Sequence, residues 1–194
     1  MMSGQGGMLA TNDRKIYERA KCLAHHGMVK YTDKTTFWSV EIGYNYQWTN
    51  IQAALALAQL RRLDELVSQR RRIFFWYKER LADLPSVHLN REEEHIFSTY
   101  WVVTAIVDPS YGLKKEDMMR ELTQYGIDTR PFFYPISSMP AYAQYADGKN
   151  YDRLNSVAYR ISPYGISFPS AASLTQADVD YVCEAFRKIL KNKL

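Results

Sequence analysis

Several common routes to a function are closed by what this 194-residue chain lacks. It has two cysteines, Cys22 and Cys183, far apart and without metal-knuckle spacing, so reduced, buried thiols are expected. No apolar run approaches the roughly 20 residues of a bilayer-spanning helix. The N-terminus lacks the basic, apolar, small-residue order of a signal peptide. A cytoplasmic protein with no membrane partner is the expectation. Ser3-Gly4-Gln5-Gly6-Gly7 is followed by no Gly-Lys-Ser/Thr, which excludes a Walker loop. His25 and His26 are adjacent, so on a helix their side chains diverge by about 100° and clamp one ion poorly. A helix C-terminus that favours partly charged imidazoles accounts for them instead. His88 and His95 are isolated, and Glu92-Glu93-Glu94 reads as a solvated loop. No metal site is expected, and no nucleophile, base and oxyanion donor assemble into a catalytic set.

Charge excludes little. Lys plus Arg is 25 against 21 Asp plus Glu, a net +4. The excess gathers in Arg61, Arg62, Arg70, Arg71 and Arg72. A solvated helix face is the ordinary reading and an anionic partner the sharper one. With no recognition motif beside it, nucleic acid is not expected.

What is present is a run of clear structural punctuation. Met8-Leu9-Ala10 reads as a short strand leaving a glycine turn. Asn12 and Asp13 offer N-cap oxygens to a helix running to His25 or His26, with Gly27 at the left-handed C-terminal position. Residues 28–48 read as irregular and aromatic. Thr49 with Gln52 forms a capping box. Ala56, Leu60, Leu63, Val67, Phe74, Tyr77 and Leu81 then keep helical spacing, with one polar gap at Arg70. That pattern predicts one helix of roughly 30 residues, about 45 Å long, closed by Pro85. Such a length implies a further domain or subunit packed along it.

Beyond it, Tyr100–Val107 is a strand by composition. Lys114–Tyr125 is an amphipathic helix ended at Gly126, and residues 127–129 are a candidate second strand. A loop follows over 131–151, then a short helix over 152–160 and a strand over 166–168. Thr175 with Asp178 caps the last helix, whose stripe is Val179, Val182, Phe186, Ile189 and Leu190. The fold class is therefore α/β, an α+β arrangement of helices around one small sheet.

Two segments could carry chemistry. Gly43-Tyr44-Asn45-Tyr46-Gln47-Trp48-Thr49-Asn50 puts an amide donor just ahead of a helix N-terminus, where partial positive charge favours an anion. Thr129-Arg130-Pro131-Phe132-Phe133-Tyr134-Pro135 offers three aromatics stiffened by two prolines, a wall for a sugar or a base. For each, loop anchoring is an equally good reading.

Taken together, the segments resemble a known family. GYNYQWTNIQAALALAQLRRLDEL is similar to the G-Y-N-x-x-x-T/S-N/D-x-x-A-A stretch of the DegT/DnrJ/StrS sugar aminotransferases. SGQGGMLATND is similar to their T-G-E-G-G-M-L-x-T-N-D. YWVVTAIV, TRPFFYP and LTQADVDYVCEAFRKIL fall in the family's order. FFYP and WSVEIGYNY look most like the perosamine-synthase branch, which serves lipopolysaccharide O-antigen biosynthesis.

The resemblance implies the C-terminal part of a type I aspartate-aminotransferase fold. Residues 1–48 would be a remnant of the large cofactor-binding domain with a cross-subunit loop. Residues 49–84 would be the connecting helix, and 85–194 a small C-terminal domain. It implies pyridoxal phosphate as cofactor, glutamate as amino donor, a nucleotide-linked keto sugar as acceptor, and homodimers. By resemblance Asn45 reaches the cofactor phosphate across the dimer, while Tyr134 and Phe133 line the substrate.

The family's Schiff-base lysine lies a few residues ahead of the glycine turn. Lys15, Lys21 and Lys30 stand on its other side, so the chain alone is expected to be inactive and to bind no cofactor. A surviving role as partner to a full-length or split-gene aminotransferase is the alternative. Gln5 replaces the usual glutamate, and Ser137 and Ser138 fill a stretch where many members carry a histidine. Marginal stability or self-association is also expected, from an unpaired edge at 8–10 and an uncovered helix stripe.

Overall fold

A computed structural model describes residues 3–28, 37–145 and 148–193. Lys30 and Tyr31 fall outside the described residues. The chain divides into two compact units, Met1–Leu63 and Asp64–Leu194.

In the first unit, α1 spans Arg14–Ala24. Asp13 caps it by accepting from the Lys15 and Ile16 amides. Gly27 follows at φ 69°, its amide donating back to the Cys22 carbonyl at 2.9 Å. The helix thus ends where the glycine predicts. Met8-Leu9-Ala10 is not a strand. No strand pairs with it among the described residues, and Met8 and Leu9 stay largely exposed. A strand needs a neighbour for its backbone groups, and apolar composition supplies none. Gly6, at φ 132°, lies so close under the Trp48 indole that a Cβ would fall 1.9 Å from Nε1. The opening glycines therefore serve a close approach as well as a turn. Cys22 is half-buried rather than buried, with Sγ 3.3 Å from Glu41 Oε1.

The helix expected over 49–84 is two helices. α2 spans Asn50–Leu60, with the Thr49–Gln52 capping box formed as predicted. The chain turns at Arg61 and Arg62, where the Arg62 amide reaches the Gln59 carbonyl in a tightened i→i+3 bond. α3 then restarts over Leu63–Arg80 with Asp64 and Glu65 in its first turn, where negative charge complements the helix dipole. Apolar spacing runs straight through the break, so periodicity alone does not reveal it.

The second unit is built on a four-stranded antiparallel sheet of order β1-β2-β4-β3, with β1 Val87–Leu89, β2 Val103–Val107, β3 Arg130–Pro131 and β4 Gly165–Phe168. β2 pairs Val103 with Phe168 and Ala105 with Ile166. Every residue of β4 is buried, so both its faces are covered. α4 (Lys115–Gln124) packs against α7 (Gln176–Lys191), β3 and β4. α7 carries the expected capping box, and its predicted stripe is buried. Tyr77 of α3 stacks on Phe168 of β4, which meets Phe186 of α7 edge-on. Fully burying each such ring is worth about 1.5–3 kcal/mol. Cys183 lies in this core, and burial pushes its thiol up to about 12.

Three boundaries differ from expectation. β2 begins at Val103, because Tyr100 sits at φ 44° and bends the chain. β3 forms at Arg130–Pro131 rather than 127–129, where Ile127 and Thr129 are buried outside the ladder. The helix over 152–160 is two short ones, α5 (Tyr151–Leu154) and α6 (Ser156–Ile161). The loop over 131–151 includes 3-10 turns at Ile136–Ser138 and Pro140–Tyr145.

The arginine cluster is only partly a solvated face. Arg70 Nη1 donates to the carbonyls of Trp101, at 2.6 Å, and Ser170, at 3.1 Å. Arg71 forks onto Glu92 and the Ser98 carbonyl and lies 4.3 Å from the Phe97 ring centroid. Glu92 also accepts from the Ser98 amide and the Tyr100 hydroxyl. The Arg71 hydrogen bond, then the Ser98 amide, hold the Glu92 carboxyl down to about 2. The acidic run thus includes a structural anchor.

Candidate functional site

Asn45 belongs to the first unit, Phe133 and Tyr134 to the second. Around Asn45, residues 44–46 run antiparallel to the end of α1. Asn45 bridges His25, the Tyr44 amide donates to the Leu23 carbonyl at 2.7 Å, and the Tyr46 amide to the Ala24 carbonyl at 2.9 Å. Tyr44 and Tyr46 stack on one side with centroids 5.0 Å apart, which leaves Asn45 facing the other. The Asn45 side chain is exposed, and its amide makes no hydrogen bond among the described residues. It is a donor held by backbone geometry and left uncommitted.

The second segment is anchored from below. The Phe132 amide donates to the Gly165 carbonyl at 3.0 Å. A Cβ on Gly165 would lie 2.7 Å from Phe132 Cβ, so only glycine lets β4 pass this close. Phe133 then stands 72% exposed and Tyr134 51% exposed. The Tyr134 hydroxyl donates to Glu116 Oε1 at 3.1 Å, a bond that raises its pKa. Lys115 Nζ sits 3.3 Å from the Tyr134 ring centroid.

Lys115 is absent from the sequence-based candidates, yet its side chain is buried. Its signal is its register: Lys115, Met118 and Leu122 form the buried stripe of α4, so a lysine occupies a core position. Ser137 Oγ lies 3.3 Å from the Tyr159 hydroxyl, and Ser138 Oγ donates to the Pro135 carbonyl at 2.6 Å. Ser137 also lines a cavity of about 370 Å³ with Tyr142, Tyr145, Tyr151 and Asn155. Among the described residues, no three His, Cys, Asp or Glu side chains come together as a metal set. No helix there is long and apolar enough to cross a membrane.

The profile of the DegT/DnrJ/EryC1/StrS aminotransferase family matches residues 1–187. The chain belongs to this family. Like its other members it is similar to enzymes that depend on pyridoxal phosphate. It is 34% identical over 191 residues to the GDP-perosamine synthase of Escherichia coli O157:H7, covering 98% of this chain and 49% of that enzyme. The GDP-perosamine synthase of Caulobacter vibrioides is 34% identical over 192 residues, covering 97% and 49%. The chain therefore spans about half the length of the curated relatives it matches. Among solved structures, PseC of Helicobacter pylori, an aminotransferase of pseudoaminic acid biosynthesis, aligns with a TM-score of 0.82. It is 24% identical and covers 94% of this chain and 48% of its own. The pyridoxal-phosphate form of the putative sugar aminotransferase Spr1654 from Streptococcus pneumoniae gives 0.79 at 25% identity, covering 95% and 45%. The α/β fold of this family is thus the fold of the chain.

For a cofactor that carries a phosphate, the Asn45 amide is a chemically suitable donor: it is exposed, makes no hydrogen bond among the described residues, and is held by the 44–46 backbone.

Proposed function

We propose that the chain is the C-terminal half of a pyridoxal-phosphate-dependent aminotransferase acting on a nucleotide-linked 4-keto-6-deoxy sugar, in the manner of a perosamine synthase. The observation that carries this reading is the 34% identity to two GDP-perosamine synthases over nearly the whole chain. The product amino sugar would enter surface polysaccharide, with glutamate as the amino donor and the cytoplasm as the place of reaction. When bound, the cofactor supplies the electron sink for moving an amino group. The chain's own residues bind and orient. Asn45 donates its amide N–H to a phosphate oxygen in the active site of a second subunit. Phe133 and Tyr134 present ring faces to the sugar, whose C–H groups pack on aromatic surface while its hydroxyls remain wet. Homodimerisation, or pairing with a full-length or split-gene subunit, brings Asn45 to the cofactor of the other subunit. The exposed amide of Asn45, which makes no hydrogen bond among the described residues, supports the pairing reading.

In these 194 residues no lysine stands ahead of Gly4. Residues 1–194 alone are therefore expected to leave the keto sugar unchanged and to hold no cofactor through a lysine. The test combines the purified chain with pyridoxal phosphate, glutamate and GDP-4-keto-6-deoxymannose, with and without a co-expressed polypeptide carrying an N-terminal half and its lysine. Amino sugar only in the paired sample, with weaker cofactor retention in N45A, is the expected result. Turnover by the chain alone, or none in either sample, overturns the reading.

A further inference from the structure

The 132–134 segment is held by an unusual group. Lys115 is 1% exposed, and its ammonium faces no carboxylate within ion-pair distance among the described residues. Its contacts are neutral. Nζ donates to the Phe132 carbonyl at 3.0 Å and to Ser162 Oγ at 3.3 Å, and it lies 3.3 Å from the centre of the Tyr134 ring. Ser162 is itself buried and passes the hydrogen bond on, donating to the Phe133 carbonyl at 2.9 Å. The next residue of α4, Glu116, takes the Tyr134 hydroxyl. Three consecutive residues, Phe132, Phe133 and Tyr134, are thus each gripped from the first turn of α4, directly or through Ser162.

Burying an ammonium among neutral acceptors costs stability, and a methionine would fill the same stem space without that cost. Burial also lowers the Lys115 pKa. What the charge supplies is geometry: three donors converging on two backbone-linked acceptors and a ring face. We propose that Lys115, with Glu116 beside it, is the positioning residue of the substrate wall, fixing Tyr134 by face and hydroxyl so that its open face and the Phe133 ring stand ready for the sugar. This rests on the proposed function for the identity of the ligand, and on the contacts alone for the clamp.

Two measurements on the full chain separate those supports. The first needs no ligand. In a proton spectrum the Lys115 ε-methylene should be shifted upfield by the Tyr134 ring current in wild type and Y134F, and should lose that shift in Y134L. An unshifted methylene in wild type overturns the clamp. The second measures GDP-mannose binding as a stand-in nucleotide sugar. K115M should weaken it about tenfold, the size of coupling expected for groups in contact, with the melting temperature unchanged or raised. The same change in a Y134L background should do nothing further. E116A, an exposed change that leaves the core intact, should weaken binding two- to threefold, about the lower end of such couplings, and keeps the question open to test should K115M fail to fold. Undiminished binding in both K115M and E116A, or equal losses with and without Tyr134, overturns the positioning role. Absence of GDP-mannose binding in wild type counts against the sugar-binding reading, while the ring-current shift still decides the clamp.

Discussion

Replacing Phe74 by leucine, and then by alanine, tests how the second unit holds its bend at Tyr100. Phe74 is 1% exposed and stacks on Tyr100 with centroids 3.6 Å apart and planes within 5°. Tyr100 occupies φ 44°, a left-handed conformation that costs a non-glycine residue about 1–3 kcal/mol. Its amide donates to Ser98 Oγ, its hydroxyl donates to Glu92, and its ring stacks on Phe74. F74L keeps most of the buried volume, so about 1 kcal/mol of packing is lost. Loss of the aromatic pair adds about 0.5–1.5 kcal/mol, for a total near 2 kcal/mol. F74A opens a cavity and should cost about 4–5 kcal/mol. Urea unfolding followed by circular dichroism measures both, and a cycle with Y100L isolates the pair. A coupling of about 1 kcal/mol is expected. Additive losses, or an F74A cost below about 3 kcal/mol, the floor for truncating a buried phenylalanine, would refute the reasoning.

Two further outcomes follow from the same contacts. Glu92 titrates near 2 in the folded chain against an ordinary 4.5, so the unfolded chain takes up its proton first as pH falls. Its stabilising contribution is complete above about pH 4.5 and is lost toward pH 2; the urea midpoint should drop across that window, and E92Q should flatten the drop, whereas an identical slope would exclude the Arg71 clamp as the cause. G165A should push Phe132 off β4 and speed hydrogen exchange at the Phe132 amide, whose acceptor is the Gly165 carbonyl; unchanged exchange would mean that the 132–134 segment is not seated there.

The helix ends were the most readable parts of the sequence, because a cap is a local device. Asp13, Thr49 and Thr175 each satisfy amides within three residues, so their function needs no tertiary information. Features that depend on a distant partner were harder to read. Val87-His88-Leu89 is a three-residue edge strand whose only credential is its pairing with Ala105–Val107. The break at Arg61–Arg62 hides because Leu60 and Leu63 keep their three-residue spacing across it. The strand expected at 8–10 failed for the converse reason, apolar residues with no ladder to join. Among candidate site residues, Asn45, Phe133 and Tyr134 were readable as a donor and as rings. Lys115 was not: a lysine in an amphipathic helix reads as solvent-facing until the carbonyl and ring that surround it are brought up from residues 132–134.

The neighbourhood of Asn45 depends on two residues that have no side chains. A methyl on Gly43 would land 2.0 Å from the Gly27 nitrogen, and one on Gly27 2.0 Å from the Glu41 carbonyl oxygen. At this crossing main chain lies directly on main chain, with no side-chain layer between to absorb a change. Aromatic neighbours such as Tyr44 and Tyr46 can be exchanged by repacking, but either glycine is a fixed point: even the smallest side chain would have to move a whole strand-like segment, and Asn45 with it.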